Sequence, residues 1–220
     1  MALKGNNNEE KIWNFLYGEI QNKYGVAGLM GNLYAESGLR PNNLENWYES
    51  KLGLTDTSYT EKVTTGSYRN FTKDSAGYGL AQWTYWSRKQ SLLNYARSKN
   101  VSIDNLEMQL EYLIIELKNS YPEVWNTLLK AASLREASDI VLVKFENPAD
   151  KSENAKKKRA EYGQNYYNKY SGIKEETAKK EADTIYNLAA KSPYAQYFIN
   201  QSGNYISNSG GDERGKARGG

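Results

Sequence analysis

The sequence predicts a mainly α-helical fold in which one stretch of loops and short strand interrupts the helices. Apolar residues recur at three- and four-residue steps before residue 40 and again after residue 87, the spacing of helices with an apolar face. Between them, residues 40–70 are rich in Asn, Gly, Thr, Ser and Pro and show no long helical period. The length of 220 residues suits one good-sized domain with an appendage. We therefore expect a domain over residues 1–170, followed by a connecting helix and linker over residues 171–220.

Two helices are predicted to open the domain. In the first, over residues 9–23, the side chains on the apolar face are Ile12, Phe15, Leu16 and Ile20. Tyr24 and Gly25 separate this helix from a second one within residues 26–39, whose apolar stripe consists of Val26, Leu29, Met30 and Leu33.

The second helix carries a carboxylate where packing alone would not place one. Glu36 continues the apolar stripe three residues after Leu33, and Gly38 predicts that the helix stops directly afterwards. Helix C-termini carry partial negative charge, and partial burial disfavours ionisation, so both effects favour the protonated acid. Glu36 is therefore a candidate general acid. The alternative is a boundary glutamate that turns to solvent.

The amino-acid composition limits which catalytic chemistries are possible for this chain. The chain has no His and no Cys, which excludes His-based triads, His-based zinc sites, thiol nucleophiles and disulfides. Carboxylate chemistry remains, and carboxylate pairs are the usual apparatus for cleaving glycosidic bonds. The 19 Tyr and five Trp supply rings that suit sugars. A net charge of +3 does not favour nucleic acid, and we expect neither metal nor cofactor.

The interrupting stretch supplies candidates for a binding cleft. Trp47, Glu45 and Glu49 lie in its loops. A tight turn and a short strand are predicted for residues 74–86. Within them, the Gln82 amide can form hydrogen bonds with a sugar hydroxyl or can hold a loop in place. Four rings of this segment are candidates for a surface groove: Tyr78, Trp83, Tyr85 and Trp86.

The rest of the domain is predicted to be helical. The helix over residues 106–117 has a wide apolar face and is expected to be central. Capping patterns predict new helices at Ser120 and Ser133, and residues 140–143 are expected to be a buried helix that ends before Pro148. Glu146, at that helix end, is a further candidate carboxylate. The basic residues 156–159 are interpreted as an exposed helix face, and Tyr166 is a candidate ring for the cleft.

Three segments resemble the phage tail lysozyme family, which is related to goose-type lysozymes and soluble lytic transglycosylases. They are GNLYAESGL, DSAGYGLAQWTYWSRKQ and FENP, and the resemblance spans residues 9–170. It implies a helical domain with a small β-hairpin region flanking a glycan-binding cleft, acting on the glycan strands of bacterial peptidoglycan. Glu36 matches the family's catalytic acid, and Gln82 matches a glutamine that lines the cleft. The match does not fix a second carboxylate: Asp74 is our choice, and the alternatives are Glu45, Glu49 and Glu146.

The resemblance implies a muramidase or a lytic transglycosylase, located at the cell wall or in a phage virion. The alternatives are a non-catalytic peptidoglycan-binding module and a structural component of a phage tail. Residues 205–213 resemble the opening of a second hydrolase module, so the chain is expected to belong to a longer parent protein. No segment has the ~20 apolar residues of a membrane span, and the first residues lack the apolar core of a secretory signal.

Overall fold

The computed structural model describes residues 3–172. Within this range helices dominate, which confirms the predicted mainly α-helical fold. The α-helices are α1 (Asn8–Ile20), α2 (Lys23–Ser37), α3 (Asn46–Leu52), α4 (Asp56–Thr64), α5 (Trp86–Lys99), α6 (Leu106–Ser120), α7 (Pro122–Lys130), α8 (Leu134–Ile140) and α9 (Glu153–Tyr170). The linker expected over residues 171–220 lies, from residue 173 onward, outside the described residues, as does the segment 205–213.

Helix α2 is the centre of the fold. Every residue from Gly25 to Leu33 is buried, and the helix packs against α1, α7, α8 and α9. A helix that is apolar on all sides belongs in the interior, so α2 is more deeply enclosed than its apolar stripe alone predicted. Helix α6, which we expected to be central, packs against α1, α5 and α7.

Two glycines let α9 approach α2 closely. A Cβ atom on Gly31 would lie 2.4 Å from the carbonyl oxygen of Arg159, and one on Gly163 would lie 2.7 Å from that of Ala27. Any side chain at either position would therefore push the two helices apart. This close crossing brings Arg159 next to the C-terminal end of α2.

The predicted helix boundaries hold at two places and fail at one. Gly38 ends α2 in the left-handed conformation with φ 61°, and the Ser133 side chain caps α8 by accepting from the Glu136 amide. The predicted cap at Ser120 is wrong, because α7 begins at Pro122 without a side-chain cap. Proline at the first helical position has no amide hydrogen that needs capping.

The buried helix predicted around residues 140–143 is present and takes an unusual form. After α8 the chain continues as a π-helical turn, Val141–Glu146, which ends at Asn147 with φ 48°. Pro148 follows and prevents further helix. π-Helical turns are rare and occur frequently at functional sites.

The expected β-hairpin is not formed as strands in the described residues. Only two isolated bridges occur, Leu44 with Tyr78 and Tyr78 with Trp83. Between the bridged residues the chain passes through Gly79 and Gln82, both with positive φ, and the Leu80 amide donates to the Gln109 side chain instead of to a neighbouring strand. Tyr78 and Trp83 exchange two backbone hydrogen bonds, of 3.3 and 2.9 Å, and side-chain hydrogen bonds hold the turn between them.

None of the helices within residues 3–172 has the apolar run that crossing a bilayer requires.

Candidate active site

A cavity of about 380 Å³ lies at the C-terminal end of α2. It brings together three residues predicted from the sequence, Glu36, Trp47 and Gln82, and one of the alternative carboxylates, Glu45. The other lining residues are Ser37, Gly38, Arg40, Asn43 and Asn46. Two carboxylates, amides and an exposed ring thus share one open cavity.

Glu36 lines this cavity from the last turn of α2. Its side chain is 20% exposed, and its Oε1 atom accepts a hydrogen bond from Nη2 of Arg159 at 2.7 Å. The next residue, Ser37, is buried and donates to the carbonyl oxygen of Leu80 at 2.9 Å. The end of α2 is therefore fastened to the loop that carries Gln82, and the position of Glu36 is fixed from both sides.

Glu45 is held at the cavity by Gly77. The Glu45 amide donates to the Gly77 carbonyl oxygen at 2.9 Å, and Oε2 of Glu45 accepts from the Gly77 amide at 3.1 Å. A Cβ atom on Gly77 would lie 2.6 Å from Oε1 of Gln82, so a side chain at position 77 would displace the Gln82 amide. The loop thereby orients the second carboxylate of the cavity.

Gln82 ties down a loop, which is one of the two roles expected for its amide. It lines the cavity, and its Nε2 atom donates to the carbonyl oxygens of Asn43 at 3.0 Å and Gly79 at 3.1 Å. Its backbone has φ 43°, in the left-handed region that non-glycine residues rarely adopt. Such residues persist only where the surroundings enforce them, and they cluster at active sites and ligand clamps.

Glu146 lies behind Glu36, at the end of the π-helical turn. Burial raises the pKa of its carboxyl group well above the ordinary value, and the negative charge of Glu36 raises it further. The positive charges of Arg88 and Arg159 oppose this rise. Glu146 does not line the cavity, so its predicted role in contacting substrate is not favoured by this placement.

Asp74 lies in a buried network outside the cavity lining. Its Oδ1 atom accepts from Nζ of Lys89 at 2.6 Å and from the Ala76 amide at 3.0 Å, while Oδ2 accepts from the hydroxyls of Tyr59 at 2.6 Å and Tyr68 at 3.1 Å. The side chains of Asp74 and Lys89 are 3% and 0% exposed. Both carboxylate oxygens are occupied, which favours a structural role for Asp74 over the catalytic one that we expected.

The predicted aromatic residues divide between core and surface. Tyr78 and Trp83 are fully buried: the Tyr78 hydroxyl bonds to Thr60, and Trp83 donates to Glu116 at 2.8 Å. They pack in the core instead of forming a groove. Tyr85 and Trp86 are 63% and 59% exposed but lie outside the cavity lining. The remaining ring, Tyr166, is buried beside a separate cavity of about 290 Å³ that Tyr34 and Tyr162 also line.

The phage tail lysozyme family, represented by its family model, matches residues 7–170. The chain belongs to the phage tail lysozyme family. This confirms the resemblance inferred from the three sequence segments, over nearly the same range.

Among curated relatives, this phage tail lysozyme family member is similar to "Morphogenesis protein 1" of Bacillus phage B103. The two are 25% identical over 164 residues, which cover 70% of this chain and 38% of the relative. The chain thus spans less than two fifths of the length of that relative.

Sequence reasoning missed the partner of Glu36. The basic residues 156–159 were interpreted as an exposed helix face, which holds for Lys157 and Lys158 but not for Arg159. Arg159 precedes Tyr162 by three residues and Tyr166 by seven, so the three share one face of α9. That periodicity was the available signal that Arg159 turns inward.

Proposed function

We propose that this chain is a glycosidase that cleaves the glycan strand of bacterial peptidoglycan, with Glu36 as the general acid. The observation that carries the proposal is the cavity at the end of α2, where Glu36 and Glu45 meet beside Gln82 and Trp47. Family membership over residues 7–170 supports the same substrate class. Because the chain has no His or Cys, carboxylates are the natural groups for bond cleavage here.

In this proposal Glu36 donates a proton to the oxygen of the scissile glycosidic bond. Its side chain is partly exposed to the cavity and is fixed by the end of α2, which suits a group that must meet a bound sugar at one angle. A general acid must carry a proton when the sugar is bound. Arg159, which donates to Glu36, therefore has to give up that bond during the reaction cycle.

Glu45 is our proposed second carboxylate. It lines the same cavity as Glu36 and is oriented by two hydrogen bonds to Gly77, whereas both oxygens of Asp74 are engaged in buried bonds. In a muramidase Glu45 would position water or stabilise the cationic transition state. In a lytic transglycosylase the 6-hydroxyl of the substrate itself attacks, and Glu45 is then dispensable for the chemical step.

The rim of the cavity offers groups for holding sugars. Trp47 is 62% exposed, with the Lys51 ammonium 4.5 Å from the centre of its ring, and the exposed part of the ring suits the C–H face of a pyranose. Asn46 adds an exposed amide that can both donate and accept hydrogen bonds. We propose that the glycan lies across this rim, in the cleft between α2 and residues 40–86. We place the protein at the bacterial cell wall, as part of a phage tail.

The deciding experiment is mass spectrometry of the soluble fragments released from purified peptidoglycan. The chain should release fragments, and Glu36→Gln should lower the rate by roughly 10²–10⁴-fold while the melting temperature stays the same. A reducing-end muramic acid identifies a muramidase, and an anhydromuramic end identifies a transglycosylase. A glucosamine end would place the cut at the other linkage.

Two further variants make this experiment selective. Glu45→Gln should slow release strongly if the product shows hydrolysis, and weakly if it shows transglycosylation. Glu161→Gln is the matched control, because Glu161 is exposed on α9 and lies outside the cavity. Release by Glu36→Gln at the rate of the unmodified chain would refute the proposal. Binding to peptidoglycan without release by any form would support a non-catalytic wall-binding module.

A further inference from the structure

A cluster of charged side chains extends from Glu36 into the protein, behind the cavity. Four charged groups from four helices act electrostatically on Glu146: Glu36 from α2, Arg88 from α5, Glu116 from α6 and Arg159 from α9. We call Glu36, Arg159 and Glu146 the acid cluster. Its members come from α2, α9 and the π-helical turn, which meet where Gly31 and Gly163 allow α9 to approach α2.

The charges of the acid cluster do not balance. Arg88 is matched by Glu116, which it binds through two hydrogen bonds of 2.7 and 2.9 Å. Of the groups that act on Glu146, this leaves the guanidinium of Arg159 for two carboxyl groups, Glu36 and Glu146, while the exposed carboxyl group of Asp150 also interacts with Arg159. Two carboxylates that share one cation in a partly buried site retain a proton between them.

The hydrogen bonds of the acid cluster are also incomplete, and the gaps are complementary. Among residues 3–172, Oε1 of Glu146 and Nε of Arg159 are buried side-chain atoms without a hydrogen-bond partner. One is an acceptor and the other a donor, and the two residues interact electrostatically. Buried polar atoms are almost always paired in native proteins, so an arrangement that joins these two has a driving force.

We propose that Glu146 is a positioning residue that takes over the hydrogen bond of Arg159 from Glu36. This exchange of Arg159 between the two carboxyl groups sets whether Glu36 carries a proton. The inference rests on the proposed function of Glu36 as the general acid. In the first arrangement, which is the one observed, Arg159 donates to Glu36, and the proposal assigns the shared proton to Glu146. In the second arrangement Arg159 donates to ionised Glu146, and Glu36 carries the proton.

The exchange conserves protons and charge. One proton leaves the Glu146 carboxyl and one joins the Glu36 carboxylate, so the net charge of the cluster does not change. Glu36 then gives its proton to the glycosidic oxygen as the C1–O bond breaks and its electron pair stays on that oxygen. Water or the substrate 6-hydroxyl bonds to C1 and releases a proton to solvent, and Arg159 returns to the newly formed Glu36 carboxylate. Glu146 regains a proton from solvent, which restores the first arrangement.

The electrostatics of Glu146 agree with this scheme. Burial raises the pKa of its carboxyl group well above the ordinary value, and Glu36 adds to the rise. A carboxyl group whose pKa is raised holds its proton to higher pH than an ordinary glutamate and can supply that proton to a neighbour. Its place in a π-helical turn is also typical of residues that serve a function.

The first test measures the coupling without any catalysis. Glutamate labelled with ¹³C at the carboxyl carbon is incorporated into the whole chain, and the Glu146 signal is identified by its loss in Glu146→Gln. In Glu36→Gln the like charge is gone and Arg159 is released, so the Glu146 titration should move to lower pH by at least about one unit. A Glu146 titration that is the same in both proteins would overturn the proposal.

The second test measures the pH profile of kcat/KM for fragment release. Glu146→Gln keeps the size of the side chain but cannot ionise, so Arg159 stays with Glu36. The alkaline limb of the profile should therefore move to lower pH by about one unit, which is about a tenfold loss of rate at a pH on that limb. Glu161→Gln, the control, should leave the limb where it is.

The two tests separate the possible failures. A merely structural role of Glu146 would lower the melting temperature or the maximal rate without moving the limb, and this result would overturn the proposal. If the unmodified chain releases no fragments, the proposed function fails, and the carboxyl titration still decides whether Glu36 and Glu146 share Arg159.

Discussion

Two clusters of charged side chains in this domain, the Asp74 network and the acid cluster, are built in opposite ways. In the Asp74 network every donor of the Lys89 ammonium is used: Nζ donates to Asp74, to the Tyr59 hydroxyl and to the Ala76 carbonyl oxygen. In the acid cluster, by contrast, one donor and one acceptor are unmatched among the described residues. Moreover, one carboxyl group of the acid cluster opens into the cavity.

This difference distinguishes carboxylates with a structural role from carboxylates that can take part in proton transfer. A complete network favours one arrangement, because any change leaves a buried charge or polar group without a partner. An incomplete network costs stability but leaves protons and hydrogen bonds able to move. Carboxylates predicted as catalytic from the sequence fall on both sides: Asp74 belongs to the first kind and Glu36 to the second.

The largest expected effect, on the free energy of unfolding, comes from removing the carboxylate of the Asp74 network. Asp74→Asn leaves the Lys89 ammonium buried without its counter-charge, so the free energy of unfolding should fall by about 3–5 kcal/mol. Denaturation in urea measures this change. The rate of fragment release per folded molecule should not change, because Asp74 lies outside the cavity lining.

A double variant provides the control for this prediction. Asp74→Asn with Lys89→Met removes the buried charge as well as its partner, and should recover part of the lost stability. If Asp74→Asn instead kept its stability and lost activity, Asp74 would return as the second catalytic carboxylate and the contrast between the clusters would fail.

A smaller effect is expected in the pH dependence of stability. The pKa of Glu146 is raised well above its ordinary 4.5 in the folded protein, so between these two values the folded state holds a proton that the unfolded chain has lost. The free energy of unfolding contributed by this group therefore falls as pH rises through that window, by up to about 1.4 kcal/mol per pH unit.

Urea denaturation at several pH values from about 4.5 upward tests this. Glu146→Gln should have a flatter dependence and a higher free energy of unfolding near neutral pH than the unmodified chain. Glu161→Gln, which removes one exposed carboxylate, should keep the original dependence. Identical slopes for the unmodified chain and Glu146→Gln would mean that the acid cluster holds no excess proton.

The smallest effect is expected at the rim of the cavity. Trp47 is 62% exposed, whereas Trp83 is buried and bonded to Glu116. Trp47→Ala should weaken substrate binding about 2–10-fold, seen in KM, without a change in melting temperature. Equal KM values for the two proteins would show that the glycan does not lie against this ring.

The sequence identified the helix that carries the catalytic candidate because the relevant signals are local. Apolar spacing and the glycine after Ser37 act through backbone geometry within a few residues, and Gly38 ends α2 as predicted. The three segments that resemble the family are also short runs, which can be recognised without the tertiary structure. By contrast, the alternation after Gly77 predicts a strand. It carries no sign that the Leu80 amide donates to the Gln109 side chain, or that the Gln82 side chain donates to the Asn43 carbonyl oxygen.

What each carboxylate contacts was decided only by the tertiary structure. Glu36 meets Arg159, 123 positions away, because glycines let two helices cross closely. Asp74 is buried because Lys89 and two tyrosines surround it. Charge, burial and pairing depend on which surfaces meet, and no periodicity within one segment specifies that. The sequence by itself determined the helical fold and the position of Glu36 on it. Packing decided which acidic groups open to the cavity and which are closed within the core.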